Sequence, residues 1–291
     1  MTYVVWRLHR NQVYVAGGAL VALAVVLLIG KGQLGKDAVT VLVYATIVVP
    51  VLFGLFWGAP LLAKEFEDGT HSLVWTQGVT RRRWLRSNVT GVLLIAVVWS
   101  AALTALITWW SLPEISLQLA RSSPGPFDIQ GIAPVAYSVF AVALGIAAGA
   151  MIRRVLPAMA TTPAVFVAVR VVIAVLVRSH YMSPVSRLVS LAQAQGLRPA
   201  PAGSWLLVSL PPYIGPNGHN YGTAVSPMEA PVACRPNVTQ SCLTSHGFHQ
   251  LITYQPASRF WAFQGIEAAI FIVLAAGLVA LACRMVLTRD A

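Results

Sequence analysis

Long apolar stretches, each about the length of a membrane-spanning helix, alternate along the chain with short polar connections. A helix needs about 20 mainly apolar residues to cross the hydrocarbon core of a bilayer. Six stretches meet this requirement, at residues 13–30, 38–63, 88–110, 131–152, 158–178 and 260–283. The first follows Arg7, His9 and Arg10, as the apolar part of a signal peptide would, but no small-residue cleavage site follows it. The pattern predicts an all-α membrane protein with six transmembrane helices in a single domain, residues 1–291.

Composition supports the same class. Charged residues make up 10% of the chain and hydrophobic residues 57%, whereas soluble domains average about 25% charged residues. A net charge of +11 would point to nucleic acid in a soluble protein. Here the basic residues lie at the ends of apolar stretches, where they fix topology and contact lipid headgroups, so no nucleic-acid partner is expected.

The basic residues also orient the predicted helices. With the N-terminus inside, the short outer loops contain only Lys31, Lys36 and Arg121. The inner side then contains Arg7, Arg10, Lys64, Arg81, Arg82, Arg83, Arg86, Arg153, Arg154, Arg284 and Arg289. Because cytoplasmic loops carry the excess of Lys and Arg, both termini are expected in the cytoplasm.

Two further segments have distinct patterns. Residues 1–12 mix aromatic and basic side chains, which suits a short interfacial helix before the first span. Residues 179–259 form a long Pro- and Gly-rich loop on the outer side, and a loop of this length is usually functional or folded. Within it, the spacing of Leu188, Leu191 and Ala192 predicts a helix over 185–195.

Small residues recur at helical spacing in two of the spans. Gly54 and Gly58 lie in the second, and Gly145 and Gly149 lie in the fourth. This spacing lets helix backbones approach closely, and packing within one subunit is preferred here to a seam between two subunits.

Two ionisable residues fall well inside the spans. Arg170 lies about 12 Å below Arg178, and Glu267 about 9 Å below Trp261, at a rise of about 1.5 Å per residue. Each charge alone would cost at least about 2.5 kcal/mol at the bilayer centre. We therefore expect Arg170 and Glu267 to pair, with Gln264 assisting, as a structural pin or as a polar lock on a translocation path.

Cys234 and Cys242 lie close together in the long outer loop, where disulfides persist. A disulfide is the preferred prediction. The alternative is a zinc site completed by His246 and His249, because two thiolates and two imidazoles suit zinc.

No catalytic constellation was found in the sequence. Residues 30–36 match the spacing of a phosphate-binding loop, but Asp37 follows where a Ser or Thr hydroxyl is required for magnesium. The chain is therefore not expected to be an enzyme or to hydrolyse a nucleotide by itself.

The connection at residues 64–87 is unusually charged, with acidic residues at its start and arginines at its end. Gly69 is placed to end the helix of the second span. Thr70 is placed to cap a short helix containing Leu73 and Trp75, and Thr80 to cap the helix of the third span. A small exposed helix with an apolar face suits docking into a groove of another protein.

This connection resembles the first inner loop of the permease subunits of bacterial ATP-binding-cassette exporters, in the class that shares its fold with polysaccharide and lipid exporters. In that family an acidic run followed by Gly-Thr leads into a coupling helix, and a Val-Thr-Arg turn follows. The matching positions here are Glu65, Glu67, Gly69, Thr70, Val79, Thr80 and Arg81.

The resemblance implies that two copies of this chain form a pathway in a bacterial plasma membrane, each docked on a separate ATPase subunit that binds ATP and Mg. Docking is assigned to Glu65, Glu67, Asp68, Gly69, Thr70, Leu73, Trp75, Thr80, Arg81, Arg82 and Arg83. The substrate, expected to be a small amphipathic molecule, would pass along the second and fifth spans. Phe53, Phe56 and Phe166 are the pathway residues suggested by helix position.

Two other classes stay open at this point. One is a secondary transporter that uses Arg170 and Glu267 as an ion relay, although no inverted repeat is evident. The other is a membrane-anchored enzyme or sensor that uses the outer loop.

Overall fold

The structure is a computed structural model that describes residues 14, 17, 18, 20–29, 36–69, 80–118, 121–195, 200–235 and 237–289. The predicted interfacial helix at residues 1–12 lies outside these residues. So do Thr70, Leu73, Trp75 and the rest of 70–79, the predicted docking helix.

The chain is mostly helical. The helices are α1 (Leu20–Ile29), α2 (Lys36–Phe53), α3 (Ala59–Glu67), α4 (Arg81–Gln118), α5 (Pro126–Ile129), α6 (Ala133–Ile152), α7 (Val155–Val172), α8 (Leu191–Gln195), α9 (Gln240–Ser245) and α10 (Phe260–Arg289). One-turn π-helices at Gly54–Gly58 and Ile173–Val177 connect α2 to α3 and extend α7. Short 3-10 turns lie at Arg178–His180, Val232–Cys234 and Ala257–Arg259.

Five helical segments are long and apolar enough to cross a membrane. They are Ala45–Glu67, Arg81–Trp110, Ala133–Ile152, Val155–His180 and Ala257–Thr288. These segments correspond to the second to sixth predicted spans. In the part of the first span that the structure describes, the continuous apolar helix is the shorter Leu20–Ile29.

The start of helix α4 agrees with the predicted cap at Thr80 and precedes the apolar stretch predicted from residue 88. The helix begins at Arg81, directly after Thr80, whose carbonyl accepts hydrogen bonds from the backbone N–H groups of Arg83 (2.9 Å) and Trp84 (3.1 Å). Because arginine is a good helix former, the polar connection can enter the helix without a break. The helix also continues to Gln118, eight residues beyond the predicted end at residue 110.

Helix α6 lies at the centre of the bundle. Its most apolar window is 72% buried, compared with 17–39% for the other four segments. The glycines of the second and fourth spans face each other here: a Cβ on Gly54 would lie 2.5 Å from the carbonyl oxygen of Ala141, and one on Gly145 would lie 2.4 Å from that of Gly54. Gly58 and Gly149 make equally close approaches. Both small-residue motifs are therefore used for packing inside one chain.

The region after α7 corrects the prediction of an all-α fold. It contains an antiparallel sheet of β1 (Val185–Ser190), β2 (Trp205–Leu206), β3 (Tyr213–Ile214) and β4 (His249–Gln255), in the order β1–β4–β2 with β3 also paired to β4.

The helix predicted over 185–195 was largely wrong. Residues 185–190 form β1, and only Leu191–Gln195 is helical. Val189 packs with Ile252 and Tyr254 of β4 in a small core, whereas Leu188 is 52% exposed. Pairing with a distant strand, which local spacing cannot reveal, decided the structure.

The bundle has two distinct ends. We call the end that carries the sheet the sheet end. We call the opposite end, where α3 ends, α4 begins and α6 turns into α7, the arginine end because it carries Arg81, Arg82, Arg83, Arg153 and Arg154.

Candidate functional site: a buried charge cluster beside a groove

Four ionisable side chains from four elements meet near the sheet end; we call them the charge cluster. They are Asp128 of α5, Arg170 of α7, Arg178 of the 3-10 turn that follows the fifth span, and Glu267 of α10. Arg178 and Glu267 are fully buried, and Asp128 and Arg170 are 12% and 11% exposed. Two positive and two negative groups give the charge cluster no net formal charge.

Arg178 makes the tightest contacts in the cluster. Its Nε and Nη2 donate to Oε2 and Oε1 of Glu267 at 2.8 and 2.7 Å, and Nη2 also donates to Oδ1 of Asp128 at 2.6 Å. This two-point contact is the strong geometry of an arginine–carboxylate pair. The guanidinium lies 4.3 Å from the centre of the Phe127 ring. Among the described residues, Arg178 Nη1 is buried without a hydrogen-bond partner.

Arg170 completes the cluster with longer contacts. Its Nη1 lies 3.3 Å from Oε1 of Glu267, and its Nη2 lies 3.3 Å from Oδ1 of Asp128. The guanidinium lies 3.7 Å from the centre of the Tyr137 ring, a cation–π contact. Arg170 therefore bridges both carboxylates and stacks on an aromatic face, which offsets the cost of burying its charge.

Two tyrosines also contact Glu267. Tyr137 Oη donates to Oε1 at 2.5 Å, and Tyr181 Oη donates to Oε2 at 3.2 Å. Both carboxylate oxygens of Glu267 therefore accept several hydrogen bonds. Burial, with the Glu267 charge beside it, raises the pKa of Tyr181, so its hydroxyl stays protonated as a donor.

The ionisation of Asp128 reflects two opposing effects. Burial disfavours its charged form, but the neighbouring Arg170 and Arg178 outweigh burial and hold the pKa of Asp128 below its usual value. Asp128 is thus a carboxylate at neutral pH.

The sequence paired Arg170 with Glu267, and the structure places the two side chains in contact. The sequence did not identify Arg178 or Asp128 as members of the site. The signal available was charge balance: a single glutamate cannot neutralise two arginines on one span, so a second acid was required nearby.

Gln264 has a different role from the one predicted. It accepts a hydrogen bond from the Ala133 backbone N–H at 2.7 Å and donates to the Phe127 carbonyl at 2.9 Å. Gly131, at φ +77°, leaves room for it, because a Cβ there would lie 2.8 Å from the Gln264 side chain. Gln264 therefore fixes α5, and with it Asp128, against the start of α6.

A groove lies between α2 and α7, and two members of the charge cluster line it. Its volume is about 270 Å3, and its lining is apolar except for Asp128 and Arg170. The other lining residues are Ile47, Val48, Val51, Phe166, Val167, Val171 and Ala174.

The three phenylalanines suggested as pathway residues do not share one cavity. Phe166 is buried and lines the groove. Phe53 stacks on Trp57, with ring centres 4.4 Å apart, and lines a second apolar cavity of about 230 Å3. Phe56 is 53% exposed.

At the arginine end, the last residues of α3 hold the start of α7. Glu67 Oε2 accepts a hydrogen bond of 2.7 Å from the backbone N–H of Val155, the first residue of α7. The Arg153 guanidinium lies 4.8 Å from the centre of the Phe66 ring. A carboxylate at a helix N-terminus satisfies a free N–H and interacts well with the helix dipole.

The remaining described residues of the connection are placed as follows. Gly69 has φ +68° at the end of α3, where the left-handed conformation favours glycine. Asp68, Arg82 and Arg83 are exposed, and Glu65 and Arg81 are half-buried.

Cys234 and Cys242 are joined by a disulfide. The sulfurs lie 3.7 and 3.8 Å from Nδ1 of His246, whereas His249 lies in β4 and its ring contacts the Gly247 carbonyl. Zinc requires thiolates, which bonded sulfurs do not supply, so the disulfide and the alternative zinc site exclude one another.

Five apolar helices, with buried charges paired between them, define a multi-pass membrane protein. Residues 31–178 match the family model described as ABC-2 membrane transporter related, and the chain belongs to that family. It is thus an ABC-2 type permease component, non-enzymatic itself, of a family that associates with an ABC ATPase subunit. No curated protein and no solved structure matches the chain.

Proposed function

We propose that the chain is the membrane-spanning subunit of an ATP-driven exporter. Two copies would form the substrate pathway, and each copy would be moved by a separate ATPase subunit that binds ATP and Mg. The observation that carries the proposal is the family match, because it runs from residue 31 through the charged connection to Arg178.

The contacts at the arginine end supply a route for the motion. A force applied to residues 64–87 reaches Phe66 and Glu67, which contact Arg153 and Val155 at the junction of α6 and α7. Because α7 carries Arg170 and leads into Arg178, displacement of the connection would change the packing around the charge cluster.

We place the arginine end in the cytoplasm of a bacterial cell, with the sheet end outside. This orientation follows the excess of basic residues at the arginine end. It also puts the disulfide in a compartment where such bonds persist. The first span would then cross the membrane and leave both termini inside.

The charge cluster supports a structural pin or lock more than an ion relay. Both oxygens of Glu267 already accept hydrogen bonds from the arginines and tyrosines. Releasing the carboxylate to carry a proton would break several of these contacts at once, so the ATP-driven class is preferred to a secondary transporter.

Copurification with an ABC ATPase expressed together with this chain tests the proposal. Reversing Glu65 and Glu67 to lysine should abolish copurification while membrane insertion stays unchanged. Glu229→Lys is the matched control, because Glu229 is an exposed acid in the sheet-end region. Recovery of the ATPase with the double variant at the wild-type yield would contradict the proposed docking surface.

A second variant separates docking from transmission. Glu67→Ala should leave the ATPase bound but free the start of α7, so that amide hydrogen exchange at residues 155–158 rises and ATP-driven efflux falls. Asp68→Ala is the control for hydrogen exchange only: it removes a neighbouring exposed acid without affecting the Val155 N–H, so exchange at residues 155–158 should stay at the wild-type level. Unchanged exchange in Glu67→Ala would refute the proposed route.

A further inference from the structure

A second cluster of chemically active side chains lies in the sheet-end region. The Sγ atoms of Cys234 and Cys242 and the Nδ1 atom of His246 all lie within 4.8 Å of one another. Among the described residues this is the one group of three or more side chains arranged so that they could hold a metal ion. The two sulfurs are bonded to each other as a disulfide, and the charge cluster uses none of the three residues.

Contacts other than the disulfide also hold these side chains together. Cys242 of α9 and His246, which follows the helix directly, are four residues apart, so they lie on the same face. Leu243 anchors α9, because it is buried in a small core with Phe248. Cys234 is 3% exposed and is therefore packed against the protein as well. Cleavage of the disulfide should leave the three side chains close together.

The distances in the cluster suit a tetrahedral metal ion. Nδ1 of His246 lies 3.7 Å from Sγ of Cys234 and 3.8 Å from Sγ of Cys242. Zinc bonds of about 2.3 Å to sulfur and about 2.0–2.1 Å to nitrogen place a sulfur and a nitrogen roughly 3.6 Å apart, and two sulfurs roughly 3.8 Å apart. The nitrogen already has the required separation from both sulfurs. Only the sulfurs must move apart, which requires that the bond between them be broken.

Reduction of the disulfide supplies the ligands that a metal needs. A dithiol reductant transfers two electrons and two protons to the disulfide and is itself oxidised to a disulfide. The two thiols then lose their protons to solvent as they bind the metal as thiolates. Cys242 is half-buried and His246 is exposed, so both a reductant and a metal ion can approach from solvent.

His246 must exchange a hydrogen bond for the metal. Its Nδ1 lies 2.8 Å from the carbonyl oxygen of Cys242, which can only accept, so Nδ1 carries a proton in the disulfide state. Zinc binds the neutral imidazole through either ring nitrogen. A shift of the proton to Nε2 frees Nδ1 for the metal and releases no proton to solvent.

The ligand set differs from the one predicted from the sequence. His249 lies in β4, and its Nδ1 lies 3.0 Å from the Gly247 carbonyl oxygen, outside the cluster. Zinc sites with three protein ligands take water in the fourth position. Thiolate ligands select zinc over magnesium and calcium, which prefer oxygen.

We propose that Cys234, Cys242 and His246 form a zinc site that exists only after the disulfide is reduced. In the disulfide state the sulfurs bond each other and no zinc binds there. In the reduced state the two thiolates and Nδ1 bind one Zn2+, and water completes the tetrahedron. The sheet-end region thereby responds to both thiol reductants and zinc. This site depends neither on the ATPase nor on the exporter function proposed above.

Zinc binding to the full-length protein in detergent, measured before and after reduction, tests the site. Cys283→Ser removes the remaining cysteine of the chain, and the protein is purified without a polyhistidine tag. After reduction by a phosphine and removal of the phosphine, one Zn2+ per chain should be bound in competition with a chromogenic chelator. The disulfide form should bind none. Equal zinc binding by the two forms, or binding by neither, would overturn the proposal.

His246→Ala tests the third ligand. It keeps both cysteines and should weaken zinc binding at least about 100-fold, because even partners that only orient a ligand contribute 10–100-fold to metal affinity. His249→Ala is the matched control, since it removes another exposed histidine three residues further on and should bind zinc as the wild type does. Wild-type affinity in His246→Ala, or loss of binding in His249→Ala instead, would refute the assigned ligands.

Amide hydrogen exchange at residues 240–246 distinguishes zinc binding at the cluster from binding to an unfolded segment. In the reduced protein α9 should stay protected, because Leu243 and Phe248 still pack together. Zinc should increase this protection in His249→Ala but not in His246→Ala. If zinc binds the reduced protein without any increase in protection of α9, the ion lies elsewhere and the proposal is wrong.

Discussion

At the scale of single residues, Arg178 is the central member of the charge cluster. It is fully buried and is the only described side chain that bonds both Glu267 and Asp128 at 2.8 Å or less. Arg170 reaches the same two carboxylates at 3.3 Å and keeps a small exposed area. Of the two arginines, Arg178 therefore serves mainly to hold the helices together, and Arg170 is the one that lines the groove.

Removing Arg178 should destabilise the protein strongly. Arg178→Ala leaves two buried carboxylates poorly paired, and breaking a buried ion pair costs about 3–5 kcal/mol. Thermal unfolding in detergent measures the effect, with Arg187→Ala on exposed β1 as the control. If both variants melt at the same temperature as wild type, the cluster does not stabilise the fold.

The low pKa of Asp128 predicts that the stability of the fold decreases in acid. The pKa of Asp128 in the folded state lies below the usual 3.8, so the folded state binds the proton less readily than the unfolded chain. Its contribution is therefore fully present above about pH 4 and is lost as the pH falls through the folded pKa. The melting temperature of wild type should fall more between pH 5 and pH 3 than that of Asp128→Asn, and parallel curves would contradict this.

At the scale of elements, the contact between α6 and the second span depends on glycine. The backbones approach so closely at Gly54 and Gly145 that a methyl group would overlap a carbonyl oxygen. The π-helical turn Gly54–Gly58 lies in this contact, where Gly58 would also collide with Val142 if it carried a Cβ. The close packing of α6 against the second span therefore requires that these positions have no side chain.

A single methyl group should therefore loosen this contact. Gly145→Ala is expected to lower the free energy of unfolding by about 1–3 kcal/mol through overpacking. Gly277→Ala is the matched control within α10, because no atom lies within 4 Å of the added Cβ, and alanine there favours the helix by about 0.5–1 kcal/mol. The measurement is the melting temperature of each variant relative to wild type. An unchanged melting temperature in Gly145→Ala would show that the packing can relax around the added methyl group.

The sequence predicted local elements well and distant pairings poorly. Hydropathy located the apolar cores of the second to sixth spans because about 20 apolar residues have few alternatives to a membrane helix. It could not locate β1, since the partner of Val189 is Gln250, some sixty residues away. Within the site, the depth of Arg170 and Glu267 indicated their contact. Asp128 was missed because it lies on the four-residue helix α5, outside every span.

At the scale of the whole molecule, the cysteines can be used to determine which end of the bundle faces the outside of the cell. Cys234 and Cys242 are in the sheet-end region, and Cys283 lies in α10 toward the arginine end. If the sheet end is outside, reduction of intact cells followed by a membrane-impermeant maleimide should label Cys234 and Cys242 but not Cys283. Permeabilised cells supply the control, since Cys283 becomes accessible there. Labelling of Cys283 alone in intact cells would reverse the proposed topology.

The balance of charge in the cluster has an electrical consequence. Moving one elementary charge across the whole bilayer changes its electrical energy by about 2.3 kcal/mol for each 100 mV of membrane potential. Arg170, Arg178, Asp128 and Glu267 sum to zero, so helices that carry them together through the field neither gain nor lose energy from it. The charge cluster should therefore add no dependence on membrane potential, and transport of an uncharged substrate should run at the same rate in polarised and depolarised vesicles.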